Sequence, residues 1–393
     1  MTEKVSVYGS PVDEGALEQI VRCSKHEAVV GAAMMADHHL GYAVPIGGVV
    51  AYRDAVSPSG VGYDIACGNK AVRLDADAAT VRSDIGKIMD EVVERVSFGI
   101  GTKNNVCVDH ELFDDDAWSI RAVSTLKAMA RNQLGTVGAG NHYVDVFVDQ
   151  DDHVWVGVHF GSRGFGHKTA TWFLKEGGAV DAIHSDPLVL PAGSALGAEY
   201  IECMRLAGRY AYAGRDWVCA EVARIIGANI IEEVHNHHNF AWCERHGGEW
   251  LWVVRKGATP AFPGQRGFIG GSMGEDAVLV EGVESEEGPD TFYSTVHGAG
   301  RAMSRTAARG RFVKDESGKK QRQPGLVRHD EWMAWMDRAG VELRGGDLDE
   351  APQAYKRLPE VLSHHAGTIR VTHTLKPIGV AMAGANVVDP YKD

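Results

Sequence analysis

"HYVDVFVDQDDHVWVGVHFG", residues 142–161, is the stretch whose reading decides the fold. From Tyr143 to Asp149 apolar residues alternate with polar ones, the period of a strand and not of a helix. "DQDD" supplies a turn, and "HVWVGVHF" runs back as a second strand. His142 opens the first limb and His159 ends the second. Both histidines sit beside glycines, in "GAGNHY" and "VHFGSRG", and the same pairing recurs in "TVHGAGR". Either these are surface loops, or several distant loops converge on a metal.

Outward from the hairpin, helices and strands intermix. "EGALEQIVRCSKHEAVVGAAMMA", residues 14–36, reads as a helix weakened at Gly31. Residues 81–97 read as a helix, with Ile85, Ile88, Met89, Val92, Val93 and Val96 at helical spacing, and residues 117–132 as another. Residues 196–232 form the longest helical stretch, either one helix interrupted near Gly214 or two. Residues 250–300 alternate strand signals with glycine loops, and "KDESGKKQRQ", 314–323, reads as an exposed loop. The class is α+β. No repeat or linker divides the chain, so the glycine motifs imply one interwoven domain over residues 1–393.

Composition bounds the function. Forty-seven glycines in 393 residues exceed the usual ~7% and point to many tight turns or close backbone approaches to a ligand. A formal charge of −13 argues against a generally basic nucleic-acid surface but not against a local basic cleft. The six cysteines show no CxxC spacing, the pattern of a reduced, cytosolic chain. The N-terminus has no basic-then-apolar leader pattern, and no run of ~18 apolar residues predicts a membrane span. The expectation is a cytoplasmic protein.

Six patches carry chemistry. In "GVGYDIACGNK", Asp64 and Cys67 stand three apart. Together they suit Mn, Fe, Co or Zn better than Mg or Ca, and the alternative is a structural cysteine beside a turn aspartate. "GTVGAGNHYVDV" places Asn141 and His142 after a glycine loop able to cradle phosphate, or in a plain tight turn. It is neither a Walker loop nor a dinucleotide fingerprint. In "VHFGSRGFGHK", Arg163 is a two-pronged oxyanion binder or caps the sheet edge. "HNHHNF", 235–240, offers His237 or His238 to a shared site, not both. "RKGATPAFPGQRGFIGGSMG" is a long glycine loop fit to wrap a ligand. In "STVHGAGRAMSR", Arg301 and Arg305 lie four apart, an anion site if they share one helical face. Jointly these patches read as a Cys/Asp/His metal site beside a polyphosphate cleft, for phosphoryl or nucleotidyl transfer.

The ordered motifs "MADHHLGYAVPIGGVVA", "GVGYDIACG", "GTVGAGNHY", "HFGSRGFGH", "HHNFA", "RKGATPAFPGQRGFIGGSMG", "VHGAGRAMSR" and "EAPQAYKRL" resemble those of the RtcB-type RNA ligases, from about residue 34 to residue 384. The resemblance implies a manganese- and GTP-dependent enzyme that joins RNA 2',3'-cyclic phosphate or 3'-phosphate ends to 5'-hydroxyl ends. It implies His297 as the guanylylated nucleophile. Two Mn²⁺ ions would be held by Asp64, Cys67, His142, His159 and His238, with Cys67 bridging. Asn141, Asn239, Ser272, Ala299, Gly300 and Tyr355 would contact the nucleotide, and Asp37 would orient His297. Arg163, Lys256, Arg301 and Arg305 would hold phosphates of RNA or GTP. RNA ends and an archease-type activator are the implied partners, with no membrane. The chain departs from the family in two places: Asp145 stands where a glutamate is usual, and Ala383-Gly384 where the family ends in Lys-Gly. Both fall on the base-reading side. The tail 385–393 follows, and its Lys392 is a candidate substitute. These departures leave two other readings: a related repair or end-capping nucleotidyltransferase with altered nucleotide specificity, or a non-catalytic RNA-end-binding homologue.

Overall fold

The computed structural model describes residues 5–179, 183–314 and 320–387. Lys392 and most of the tail therefore lie outside the described residues. Helices and sheets intermix along the chain, an α+β arrangement.

The 142–161 hairpin forms as read, with strands Tyr143–Asp149 and His153–Phe160 in antiparallel register. It is the middle of the larger sheet. Strand Ile369–Gly384 pairs with its first limb and strand Gly68–Asp77 with its second. Ala277–Gly282 and Arg266–Ile269 extend one side, and Ile230–His237 closes the other. The alternation predicts one solvated face, yet every residue from Tyr143 to Asp149 is buried. Val144, Val146 and Val148 pack against helices Ala78–Arg95 and Ala195–Ile226. The opposite face carries Tyr143, Asp145 and Phe147, and the polar residues there are enclosed as well.

A second sheet orders Val5–Val7, Val29–His39, Ile46–Tyr52, Glu249–Lys256 and Asn239–His246. Strand Ile230–His237 of the larger sheet ends one residue before Asn239–His246 of the smaller. "HNHHNF" is thus the point where the chain crosses between sheets, with His238 alone at the crossing. His238 lies beyond a strand, and not directly beyond the long helix as the sequence suggests.

Four expectations need correction. The helix read over 14–36 stops at Cys23, and Val29–His39 is a strand. Its residues are buried almost throughout, and an all-round apolar run has no polar face to offer a surface helix. The helix read over 117–132 divides into a short turn at Asp116–Ser119, capped by Asp115, and a helix Lys127–Gln133. The helix Ala195–Ile226 is unbroken at Gly214, where a side chain would press on the Phe160 ring, and Gly227 terminates it in a left-handed conformation. Part of 314–323 is a hairpin, Gly310–Lys314 against Lys320–Pro324.

The turn of the central hairpin is stapled by Asp149. Its buried carboxylate accepts from the backbone N–H of Asp151 and His153, from His153 Nδ1 at 3.1 Å and from Trp155 Nε1 at 2.8 Å. Asp149, Asp151 and His153 are near enough to suggest a cation site, but Asp149 has its acceptor positions taken. Asp149→Ala strands the buried Trp155 donor and is expected to cost about 1–3 kcal/mol. In urea this appears as a lower midpoint at unchanged slope. A midpoint equal to wild type would show that the staple does not matter.

Candidate metal centre and nucleotide cleft

The ends of four strands and one turn meet where the two sheets touch. Cys67 precedes strand Gly68–Asp77, His142 precedes Tyr143–Asp149, and His159 lies near the end of His153–Phe160. The Cys67 carbonyl accepts from His238 N at 2.8 Å and from Asn239 N at 3.3 Å, which ties the crossing point to the cysteine. Asp64 reaches in from the turn before Cys67. Tight packing fixes this arrangement: a Cβ at Gly138 would lie 2.1 Å from His142 Nδ1.

Cys67 Sγ stands 3.2 Å from His159 Nε2 and 3.6 Å from His142 Nε2. His159 Nε2 and His238 Nε2 are 3.3 Å apart, and His142 Nε2 is 3.0 Å from Asp64 Oδ2. Two donor sets result, Cys67–His159–His238 and Asp64–Cys67–His142, with the sulfur common to both. The first set fits a cation directly. His159 donates Nδ1–H to the Asn141 carbonyl at 3.0 Å, so its Nε2 lone pair faces inward. Burial, then the charges of neighbouring imidazoles, push His159 and His238 well below their ordinary pKa and keep both rings neutral. In the second set Arg163 Nη1 donates to His142 Nδ1 at 3.3 Å, which leaves the ring proton on Nε2 facing Asp64. A cation there takes that proton's place, so binding at this set releases protons. Burial, and then the Asp64 carboxylate, raise the Cys67 thiol well above its usual pKa. A thiolate ligand therefore needs strong positive charge beside it. Sulfur, imidazole and carboxylate together suit Mn, Fe, Co or Zn.

Beside the donor sets stands His297, just after strand Ser294–Val296. Asp37, wholly buried on strand Val29–His39, accepts from His297 Nδ1 at 2.6 Å and from His297 N at 2.9 Å. Burial alone would raise the Asp37 pKa, but the His297 ring and its hydrogen bonds bring it below the carboxylate norm. An ionised Asp37 fixes the proton on Nδ1 and leaves Nε2 as the free lone pair. The turn after His297 grips the same strand. Gly300 has φ +74°, and a Cβ there would lie 2.2 Å from the Asp37 carbonyl oxygen.

A cleft of about 580 Å³ opens over these groups. It is lined by Asp64, Cys67, His159, His238 and His297 at the metal end. Asn141, Asp145, Asn239, Lys256, Ser272, Ala299, Gly300, Arg301, Arg305 and Tyr355 line the rest. Asp37, His142 and Arg163 lie behind the wall: Asp37 acts through His297, and Arg163 through His142. Asn239 Oδ1 accepts from Gly257 N at 2.7 Å, and Lys256 Nζ donates to the Tyr42 carbonyl at 2.7 Å. Ser272 Oγ donates to Glu275 Oε2 at 2.9 Å. Arg301 and Arg305 do not share one helical face as expected. Arg305 begins helix Arg305–Arg309, whereas Arg301 bridges to Tyr355. They nonetheless converge on Asp349 and Glu350. Arg305 Nη1 reaches Asp349 Oδ2 at 3.0 Å and also contacts Glu350, while Arg301 Nη1 is 3.6 Å from Glu350 Oε2. Tyr355 OH donates to Glu350 as well.

Asp349 and Glu350 were not singled out by the sequence, although "GGDLDEAPQAY" carries an acidic pair just before the noted Tyr355. Asn69 was also missed. Its Nδ2 donates to the Phe268 carbonyl at 2.8 Å and to the His297 carbonyl at 3.3 Å. Of the stretch 235–240, His235 and His237 face Arg215 and not the donor sets.

The fold and donor sets define the class first: an α+β protein with groups that could hold a metal ion beside an oriented histidine. The family described as tRNA-splicing ligase RtcB matches residues 19–121 and 114–383. The RNA-splicing ligase RtcB of Escherichia coli K12 is 30% identical over 95% of this chain and 96% of its own. The tRNA-splicing ligases RtcB of Archaeoglobus fulgidus and Thermococcus kodakarensis are 30% and 31% identical, over 94% and 88% of this chain and 91% and 86% of theirs. The chain belongs to the RtcB family. No helix among the described residues is long and apolar enough to cross a membrane.

Because the sulfur is common to both donor sets, Cys67→Ala is expected to lose both cations. His238→Ala loses the one held with His159, and His142→Ala the one held with Asp64. Metal content per folded chain after Mn²⁺ loading and desalting measures this. Full retention of one cation by Cys67→Ala would contradict a shared ligand.

Proposed function

We propose that this protein is an RNA ligase that joins a 2',3'-cyclic phosphate or 3'-phosphate end to a 5'-hydroxyl end, with GMP carried on His297. The observation that carries the reading is the Asp37–His297 pair, which presents Nε2 beside two cation sets sharing Cys67. Asp64, Cys67, His142, His159 and His238 hold two Mn²⁺ ions. When bound, these supply positive charge against phosphate oxygens and the departing pyrophosphate.

His297 Nε2 attacks the α-phosphorus of GTP. A P–N bond forms, the bond to the β-phosphate oxygen breaks, and pyrophosphate leaves. Asp37 holds Nδ1–H throughout and stabilises the charge that develops on the ring. An RNA 3'-phosphate oxygen then attacks the same phosphorus and frees His297. Finally the 5'-hydroxyl attacks the RNA phosphorus, loses its proton, and GMP leaves. A cyclic phosphate is first hydrolysed to the 3'-phosphate. Asn141, Asn239, Ser272, Ala299, Gly300 and Tyr355 position the nucleotide. Arg163, Lys256, Arg301 and Arg305 serve the phosphates, Arg163 through His142. RNA ends are the partners, with an archease-type activator, in the cytoplasm.

One observation favours a second reading of the base. Asp145 is buried at the cleft with Oδ1 unpartnered, and burial raises its pKa well above the usual range. An ionised carboxylate accepts from both donors on the guanine edge, N1–H and N2–H. A protonated one donates once and accepts once, which matches adenine N1 and N6–H.

Intact mass after incubation with Mn²⁺ and GTP is expected to rise by one GMP, with no gain in His297→Ala. Gain with ATP in place of GTP would move the reading to altered base specificity. No gain with either nucleotide, with or without activator, would leave an RNA-end-binding homologue. Asp37→Asn keeps the shape but not the charge on Nδ1, and is expected to slow labelling about 10²–10⁴-fold. Labelling at the wild-type rate would remove Asp37 from the mechanism.

A further inference from the structure

Arg215 lies on the long helix beneath the metal centre, with no exposed surface. Its guanidinium makes four hydrogen bonds. Nη1 donates to the Ala66 carbonyl at 3.1 Å and to the Phe160 carbonyl at 2.6 Å. Nη2 donates to His237 Nδ1 at 3.0 Å, and Nε to His235 Nε2 at 2.8 Å. Ala66 precedes Cys67, Phe160 follows His159, and His237 precedes His238. One side chain therefore holds the chain neighbour of each member of the first donor set. Ala66 also has φ +60°, a conformation an alanine keeps only when its surroundings impose it. The Arg215 bond on its carbonyl is one such constraint, and the bond from Ala66 N to the Asn239 carbonyl at 2.7 Å is another.

Among the described residues no carboxylate is hydrogen-bonded to Arg215. His235 and His237 accept from it and are thus neutral, in line with burial holding both far below their ordinary pKa. The nearby Asp216 is bound by Lys70 at 2.6 Å. A buried cation without a direct counter-ion is costly.

We propose that Arg215 is the positioning residue of the metal centre: its fork fixes the spacing of Cys67, His159 and His238. The proposal rests on the reading of those three residues as cation ligands. His235 and His237 accept from Arg215 and seat the fork. Arg215 touches no ligand atom, so it acts through the ligands' neighbours.

The test uses the full chain, with Mn²⁺ titrated while the free ion is followed by electron paramagnetic resonance. Co²⁺ loading is followed through its thiolate charge-transfer absorption, and melting is measured in chelator. Arg215→Met is expected to weaken Mn²⁺ binding about tenfold to a hundredfold and to lose or shift the Co²⁺ band. Arg215→Lys keeps the charge without the fork. It is expected to weaken Mn²⁺ binding and displace the Co²⁺ band as Arg215→Met does. A purely structural role would lower the metal-free melting temperature and leave affinity and band at wild-type values in the folded variants. That result would overturn the proposal. If Arg215→Met does not fold, Arg215→Lys decides alone, because a wild-type band and affinity there rule out the fork. Wild-type protein that bound neither ion would instead overturn the ligand reading itself.

Discussion

The Cys67 carbonyl, bonded at once to the backbone N–H of His238 and of Asn239, is the constraint on which the site depends. It pins the one residue that separates the edge strand of the larger sheet from the edge strand of the smaller. The larger sheet supplies Cys67, His142 and His159 from adjacent strand ends, where hydrogen-bonded register sets their mutual distances. The smaller sheet supplies Asp37, and through it the orientation of His297. Without the crossing at His238 the donor sets and the oriented histidine would belong to separate layers. With it, the His238 and His297 ring centres stand 4.8 Å apart. Sites held on strand ends by a shared ladder are more precise than sites carried on free loops.

The cleft is not simply basic, which reconciles phosphate chemistry with a formal charge of −13. Arg301 and Arg305 are already engaged by Asp349 and Glu350. Such pairs keep guanidinium groups in place and restrain their side-chain freedom before any ligand arrives. An incoming polyphosphate competes with carboxylates for the same forks, so only a ligand carrying several charges displaces or shares them favourably. A cation held in the donor sets would shift that balance further towards phosphate. The resulting field is local, confined to one end of one cleft, while the outer surface remains acidic overall.

How much of this was legible in the sequence follows from what carries each residue. The candidate ligands and His297 stood out because they lie in short motifs, most of them beside glycines, and close packing demands some of these, as at Gly138 and Gly300. The hairpin was legible because strand period and turn residues agree. Arg215 was not, because a buried arginine in a helix looks in sequence like any exposed one, and two of its four partners are carbonyls with no residue identity. Asp349 and Glu350 were hidden for a similar reason, since an acidic pair in a loop usually faces solvent. The strand Val29–His39 was misread because alanine and methionine suit helices, and only burial on both faces overrides that preference.

The two ends of the cleft differ in how freely they can vary. At the metal end the candidate ligands are coupled through the sulfur common to both donor sets and the Cys67 carbonyl, so a change at Cys67 disturbs both sets. At the other end Asp145 stands on the face of its strand opposite Val144 and Val146, with one buried oxygen unpartnered. Nothing in the donor sets leans on that oxygen. A carboxylate held in this way costs stability unless a ligand meets it, which is the condition under which a side chain is kept for recognition and not for packing. Under the proposed function, the departure at Asp145 would therefore bear on what the protein reads, and not on the Asp37–His297 pair or the donor sets.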